Sequence, residues 1–106
     1  MASIHLQIQQ QLIKLEQLLK AQELWQEFPP SSEELSSDKP FAVDTLRLEQ
    51  WLQFIFIPRF QALLEANLPL PQKMAIAPYA QEAFKNYAQP TAEIEQLLEK
   101  MDGLFN

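Results

Sequence analysis

The stretch Gln50-Trp51-Leu52-Gln53-Phe54-Ile55-Phe56-Ile57-Pro58-Arg59 decides how this chain is read. Its apolar residues fall on every side of a helix rather than along one stripe, which predicts a central helix buried all round. Pro58 cannot donate to the carbonyl of Phe54, and its ring crowds that carbonyl, at a cost of ~3 kcal/mol in a helix interior. Burial of Trp51, Phe54, Ile55, Phe60, Leu63 and Leu64 offsets this, so the segment reads as a kinked helix rather than a broken one. Asp44 and Thr45 are suitable N-caps, and the helix is expected over about 45–66.

Working outward, Ile4, Ile8, Leu12, Leu15 and Leu19 recur at steps of three and four, as one face of a first helix over 3–26 requires. Ile13, Leu18 and Trp25 lie off that stripe and widen it. Phe28-Pro29-Pro30 stops the helix, because proline cannot continue the ladder. A loop follows over about 27–44. Ser32 caps one helical turn within it, and Phe41 and Val43 supply its apolar anchors. Leu68-Pro69-Leu70-Pro71 ends the second helix. Pro78 opens a third over 76–87, in the first turn where its missing N–H does no harm. Ile94, Leu97, Leu98 and Met101 give a fourth, over 91–102, its inner face, with Gly103 at the left-handed position past its end. The expected fold is all-α: a single-domain four-helix bundle over 1–106 with a proline-kinked, largely buried second helix.

The 106 residues are enough for one domain that buries roughly two-thirds of its unfolded surface. One glycine leaves no glycine-rich phosphate loop, and the lack of cysteine excludes disulfides and thiolate metal sites. The first residues lack the basic and apolar regions of a signal peptide, and no apolar run approaches the ~20 residues of a membrane span. A cytoplasmic location is the resulting expectation. A net charge of −6 disfavours general nucleic-acid binding, which rests on neutralising phosphates.

No catalytic set is legible, so the chain is expected not to be an enzyme. His5, the lone histidine, reads as an exposed surface residue, without the rigid nucleophile–base pairing that catalysis requires. The Glu-x-x-His pairs of a di-iron bundle are missing. Glu93, Glu95 and Glu99 lie off the inner face of the fourth helix and read as a solvated acidic surface, so neither metal nor cofactor is expected.

Arg59 is harder to explain. It is the only charged residue within 50–64, between Phe56, Pro58 and Phe60, and a guanidinium in apolar surroundings needs a partner. Pairing with Asp44 or with carbonyls freed by Pro58 is the structural account; recognition of an anion in a groove beside the kink is the functional one. Snorkelling to solvent is a third. The sequence predicts that Pro40, Phe41, Asp44, Trp51, Arg59, Pro78 and Tyr79 meet around one corner, the candidate binding site. The aromatic residues Trp51, Phe54, Phe56, Phe60, Tyr79, Phe84 and Tyr87 read first as core.

At Pro40-Phe41, Asp44-Thr45, Trp51-Leu52-Gln53, Ile57-Pro58-Arg59, Leu70-Pro71 and Ala77-Pro78-Tyr79 the chain resembles the YqcC family of small bacterial proteins. The resemblance runs from the first helix to the last and implies a compact all-α, four-helix domain. It implies no activity, although the family's genes often lie beside one for a tRNA pseudouridine synthase. The leading expectation is a non-enzymatic module that binds another protein, an RNA-modification enzyme among the candidates, through the surplus apolar residues of helix 1; the same surplus also fits a homodimer. The alternative is small-ligand or RNA binding in a cleft beside Pro58 and Arg59, with a local positive patch of Arg59, Lys39 and Lys73.

Overall fold

The computed structural model describes residues 4–71 and 73–105, and all regular structure among them is helical. Helix α1 spans Ile4–Ala21, α2 Ser32–Leu35, α3 Leu48–Trp51, α4 Ile57–Glu65, α5 Ala77–Ala83 and α6 Ala92–Leu104. A 3-10 turn at Pro40–Ala42 precedes α3, and a π-helical stretch, Leu52–Phe56, joins α3 to α4. α1 packs against α6 and α4, and α5 packs against α6.

α1 ends earlier than the expected residue 26, and its expected start at Ser3 lies outside the described residues. The stop is not Phe28-Pro29-Pro30 but a Schellman turn at Glu23, which has φ 60°. The Leu24 N–H donates to the Leu19 carbonyl at 2.8 Å and the Glu23 N–H to Lys20 at 3.1 Å. Two carbonyls at the helix end are thereby satisfied, and Leu24 folds back into the core. The same device ends α4: Asn67 has φ 54°, and Leu68 N–H donates to Leu63 at 2.9 Å. Gly103, expected in the left-handed position, is instead inside α6 with no positive φ.

The segment around Pro58 shows how the chain accommodates the missing donor. The Ile57 N–H reaches back five residues to the Leu52 carbonyl, so the turn before Pro58 is wider than an α turn. Such a turn amounts to one inserted residue, or a rotation of about 100° for everything that follows. Counted without it, Arg59 stands seven residues beyond Leu52 and shares its buried face. Counted with it, Leu52, Phe56, Ile57 and Phe60 line up inside, while Pro58 and Arg59 turn outward and are exposed. The expectation of a helix buried all round is therefore corrected to one with an outer edge at 58–59.

α3 also starts later than expected. Asp44 and Thr45 do not cap it; Gln50 Oε1 accepts from the Arg47 N–H at 2.7 Å. Thr45 instead donates its hydroxyl to the Glu34 carbonyl at 2.7 Å, tying the loop to itself. Within that loop Ser31, not Ser32, caps α2, in a reciprocal capping box with Glu34. Val43 is no anchor, being 54% exposed; Ala42 and Leu46 are buried in its place. Ala42, Leu46 and the half-buried Phe41 hold the end of this loop on the core, and the radius of gyration, 13.6 Å, is near the ~13 Å of a single domain of about 100 residues.

One hydrophobic cluster runs through the molecule, from Ile8, Leu12, Leu15 and Leu19 on α1 to Ile94, Leu97, Leu98 and Met101 on α6. Ile4, expected in the inner stripe, is 40% exposed.

Candidate functional site

The 3-10 turn carries Phe41 onto the helical core in a conformation that phenylalanine rarely adopts. Its φ is 58° and that of the next residue, Ala42, is 50°, two consecutive left-handed positions without a glycine. Three elements meet around its ring. Tyr79, on α5, stacks on it at 4.4 Å with planes 5° apart, and Trp51, at the end of α3, meets it edge-on at 4.9 Å. Trp51 in turn packs on Phe56 at 5.4 Å, and Phe56 on Phe60 at 4.7 Å.

This chain of rings forms the floor of a cleft of about 270 Å³. Phe41, Trp51, Phe56 and Phe60 line it together with Arg59, and the bridge after α4 closes the other side with Pro71, Lys73, Met74, Ala75 and Ile76. Arg59 and Lys73 are exposed at its rim. Neither is in an ion pair among the described residues, nor are Lys14, Lys39 and Lys100, whereas Lys20, Arg47 and Lys85 each lie within 4.0 Å of a glutamate.

The expected corner is thus distributed as follows. Phe41, Trp51 and Tyr79 touch, and Arg59 shares the cleft with Phe41 and Trp51. Pro40 and Pro78 are exposed, one opening the 3-10 turn and the other in the first turn of α5. Asp44 does not meet Arg59; its carboxylate accepts from the Ser37 hydroxyl at 2.5 Å. Arg59 needs no buried partner because the π turn carries it to the surface. Lys73 was expected only as part of a positive patch beside Arg59, and Phe56, Phe60, Met74, Ala75 and Ile76 also line the cleft without having been in the expected set. The fused phase of the π turn hides the two phenylalanines, and Met74, Ala75 and Ile76 belong to a segment without periodicity.

Three polar contacts, one buried and two part-buried, tie the surrounding elements to one another. The Asp102 carboxylate, on α6, accepts from the Ile76 N–H at 3.0 Å and the Ala77 N–H at 2.8 Å. It caps the start of α5 from another helix, which fixes the bridge that walls the cleft. Gln53 accepts from the Gln26 N–H and donates to the Gln26 carbonyl, both at 2.8 Å, stapling the loop to the π stretch. Glu49, 5% exposed, accepts from the Tyr87 hydroxyl at 2.7 Å and has Arg47 Nε at 3.7 Å. Burial first, then the hydrogen bond and charge of Glu49, push the Tyr87 hydroxyl well above the usual tyrosine range.

His5, expected to be exposed, is half-buried on α1. Among the described residues no three His, Asp or Glu side chains converge on a position for a metal ion. No helix among them is long and apolar enough to cross a membrane. Of the surplus expected on the first helix, Leu18 on α1 and Trp25 beyond its end pack against the core, with Lys20 Nζ 5.1 Å from the Trp25 ring centroid. Ile13 remains 53% exposed, beside a groove shared with Leu12, Gln61 and Leu64.

A family model described as tRNA pseudouridine synthase C matches residues 7–104. An uncharacterized protein of Haemophilus influenzae is 44% identical over 98 residues, covering 92% of this chain and 89% of that protein. The uncharacterized protein YqcC of Escherichia coli is 38% identical over 101 residues, 95% of this chain and 93% of its own length. The solution NMR structure of YqcC superimposes with a TM-score of 0.84 at 36% identity, covering 98% of this chain and 89% of that one. A protein of Pectobacterium carotovorum named tRNA pseudouridine synthase C is 42% identical over 66 residues, which are 62% of this chain but 18% of that protein.

Proposed function

The chain belongs to the YqcC family, and from that premise we propose that it is a non-enzymatic helical module that binds a tRNA pseudouridine synthase. The observation that carries this reading is the Pectobacterium relative, in which sequence similar to most of this chain is a minor part of a longer protein bearing that name. Joining two modules in one polypeptide raises their effective concentration to the mM range, an arrangement suited to modules that act together. In this reading the present chain makes the same association in the cytoplasm. The helices act as a four-helix bundle with α3, the π stretch and α4 as its bent second member.

The non-enzymatic part rests on chemistry. Glu49 and Asp102 are occupied by Tyr87 and by backbone N–H groups, and among the described residues the cleft at Phe41 offers rings and cations but no poised acid, base or nucleophile. A second reading, RNA or a small ligand in that cleft, is favoured by the aromatic walls beside Arg59 and Lys73. The net charge of −6 opposes its RNA form.

Co-expression with a tagged tRNA pseudouridine synthase C of the same organism tests the proposal. Co-purification in a defined ratio that survives nuclease treatment is expected. Elution of the synthase alone would overturn the reading, and loss of the complex on nuclease treatment would favour an RNA link.

A further inference from the structure

We propose that the cleft between Phe41 and Lys73 receives a peptide segment of the partner protein that places an apolar side chain beside a carboxylate. This rests on the reading that the chain is a protein-binding module and names the surface it uses. The cleft, about 270 Å³, lies just under the range of whole small-molecule sites and suits one large side chain with its flanking backbone. Phe41, Trp51, Phe56 and Phe60 make its floor apolar. Aromatic pockets of this kind hold the anchors that dominate binding energy at interfaces.

Charge fixes the rest of the ligand. Among the described residues Arg59 and Lys73 have no carboxylate within 4.0 Å, which is also true of Lys14, Lys39 and Lys100, but these two alone of the unpaired cations line the aromatic cleft. A ligand carboxylate between Arg59 and Lys73 supplies the missing partner, with the guanidinium able to bind it through two parallel N–H groups. Nucleic acid fits less well. Stacking recognition needs a ring face and a continuous cationic track, whereas one face of Phe41 is taken by Tyr79 and, among the described residues, only two cations line the cleft.

Backbone strain points to the same place. Left-handed geometry at Phe41 and Ala42 opposes the preference of both residues, and it is what brings the Phe41 ring to the wall of the cleft. Strain of this kind concentrates at ligand clamps. The other left-handed positions, Glu23 and Asn67, are explained by the helix ends they close.

Selection of a random peptide library displayed on phage against the intact chain tests this, with Arg59→Glu/Lys73→Glu as the paired target. Both side chains are exposed, so the double variant keeps the fold, which its thermal melt verifies. Selected peptides should share an Asp or Glu next to an aromatic or large aliphatic residue. Their affinity should fall roughly tenfold or more on the double variant, as loss of charge-assisted contacts implies. Exchanging the peptide's acid for lysine should restore binding to that variant. Peptides without a shared acid, or binding indifferent to the double change, would overturn the proposal, as would capture of hexauridylate in place of peptides. If the synthase co-purifies with the double variant as well as with wild type, the site assignment falls and the function stands. If acid-bearing peptides bind but the synthase never co-purifies, the function falls and the site stands.

Discussion

Phe41 stacks on Tyr79 with ring centroids 4.4 Å apart while its own backbone sits at φ 58°. The contact between the 3-10 turn and α5 is therefore made against the local preference of the chain. An L-residue in this region carries about 1–2 kcal/mol of steric cost, which glycine does not. Both Phe41→Ala and Phe41→Gly lose the ring. Urea denaturation should nevertheless find the glycine variant more stable by about 1 kcal/mol, the reverse of the usual order. A glycine variant less stable than the alanine one would show that Phe41 is not strained.

Glu23 offers the same test without an aromatic ring. At φ 60° it closes α1, and replacement by glycine removes the steric cost while adding freedom to the unfolded chain. Glu23→Gly should be stabilising by roughly 0.5 kcal/mol, the difference between those two effects. Asn67→Gly should be near neutral, because asparagine already tolerates this geometry. Chemical denaturation of both variants measures the contrast, and clear destabilisation by Glu23→Gly would contradict the Schellman account.

Asp102 joins α6 to the start of α5 through two charge-assisted hydrogen bonds, each typically worth about 1.5–3 kcal/mol. Asp102→Ala should cost roughly 3 kcal/mol or more on that scale. Asp102→Asn, which keeps one acceptor oxygen, should cost about half as much. A loss below about 0.5 kcal/mol for the alanine variant, less than one ordinary hydrogen bond, would refute the capping role. Amide exchange at Ile76 and Ala77 should rise in both variants.

Tyr87 sets the alkaline limit. Its folded-state pKa is raised, first by burial and then by Glu49, so the folded state holds the hydroxyl proton more tightly than the unfolded chain does. Its contribution is fully present below about pH 10, the unfolded tyrosine value, and is lost progressively as pH rises from there towards the folded pKa. Denaturation midpoints measured between neutral pH and the strongly alkaline range should fall for wild type. Tyr87→Phe should flatten that fall, and an unchanged slope would assign it to another group.

The sequence is most informative where one side chain has one task. The inner faces of α1 and α6 follow from the three-and-four spacing of Ile8, Leu12, Leu15 and Leu19 and of Ile94, Leu97, Leu98 and Met101. The meeting of Phe41, Trp51 and Tyr79 was expected, whereas the exposure of Arg59 was only the last of three accounts, behind a buried pairing and an anion-binding groove. An uninterrupted count places Arg59 beneath Leu52, and one wide turn, whose hydrogen bonds no residue type announces, rotates it outward. The end of α4 falls near 66 as expected, but the helix end at Glu23 escaped notice because glycine, the usual signal, is not used there. The roles of Asp102, Gln53 and Glu49 depend on partners 26, 27 and 38 residues away, a separation over which periodicity says nothing.

Titration calorimetry of the purified chain into a tRNA pseudouridine synthase C of the same organism tests the central claim most directly. The account predicts saturable binding at a fixed ratio, a negative heat-capacity change from burial of the aromatic cleft, and weakening by salt as the contacts of Arg59 and Lys73 are screened. Absence of saturable heat across temperatures, with both proteins folded, would contradict it.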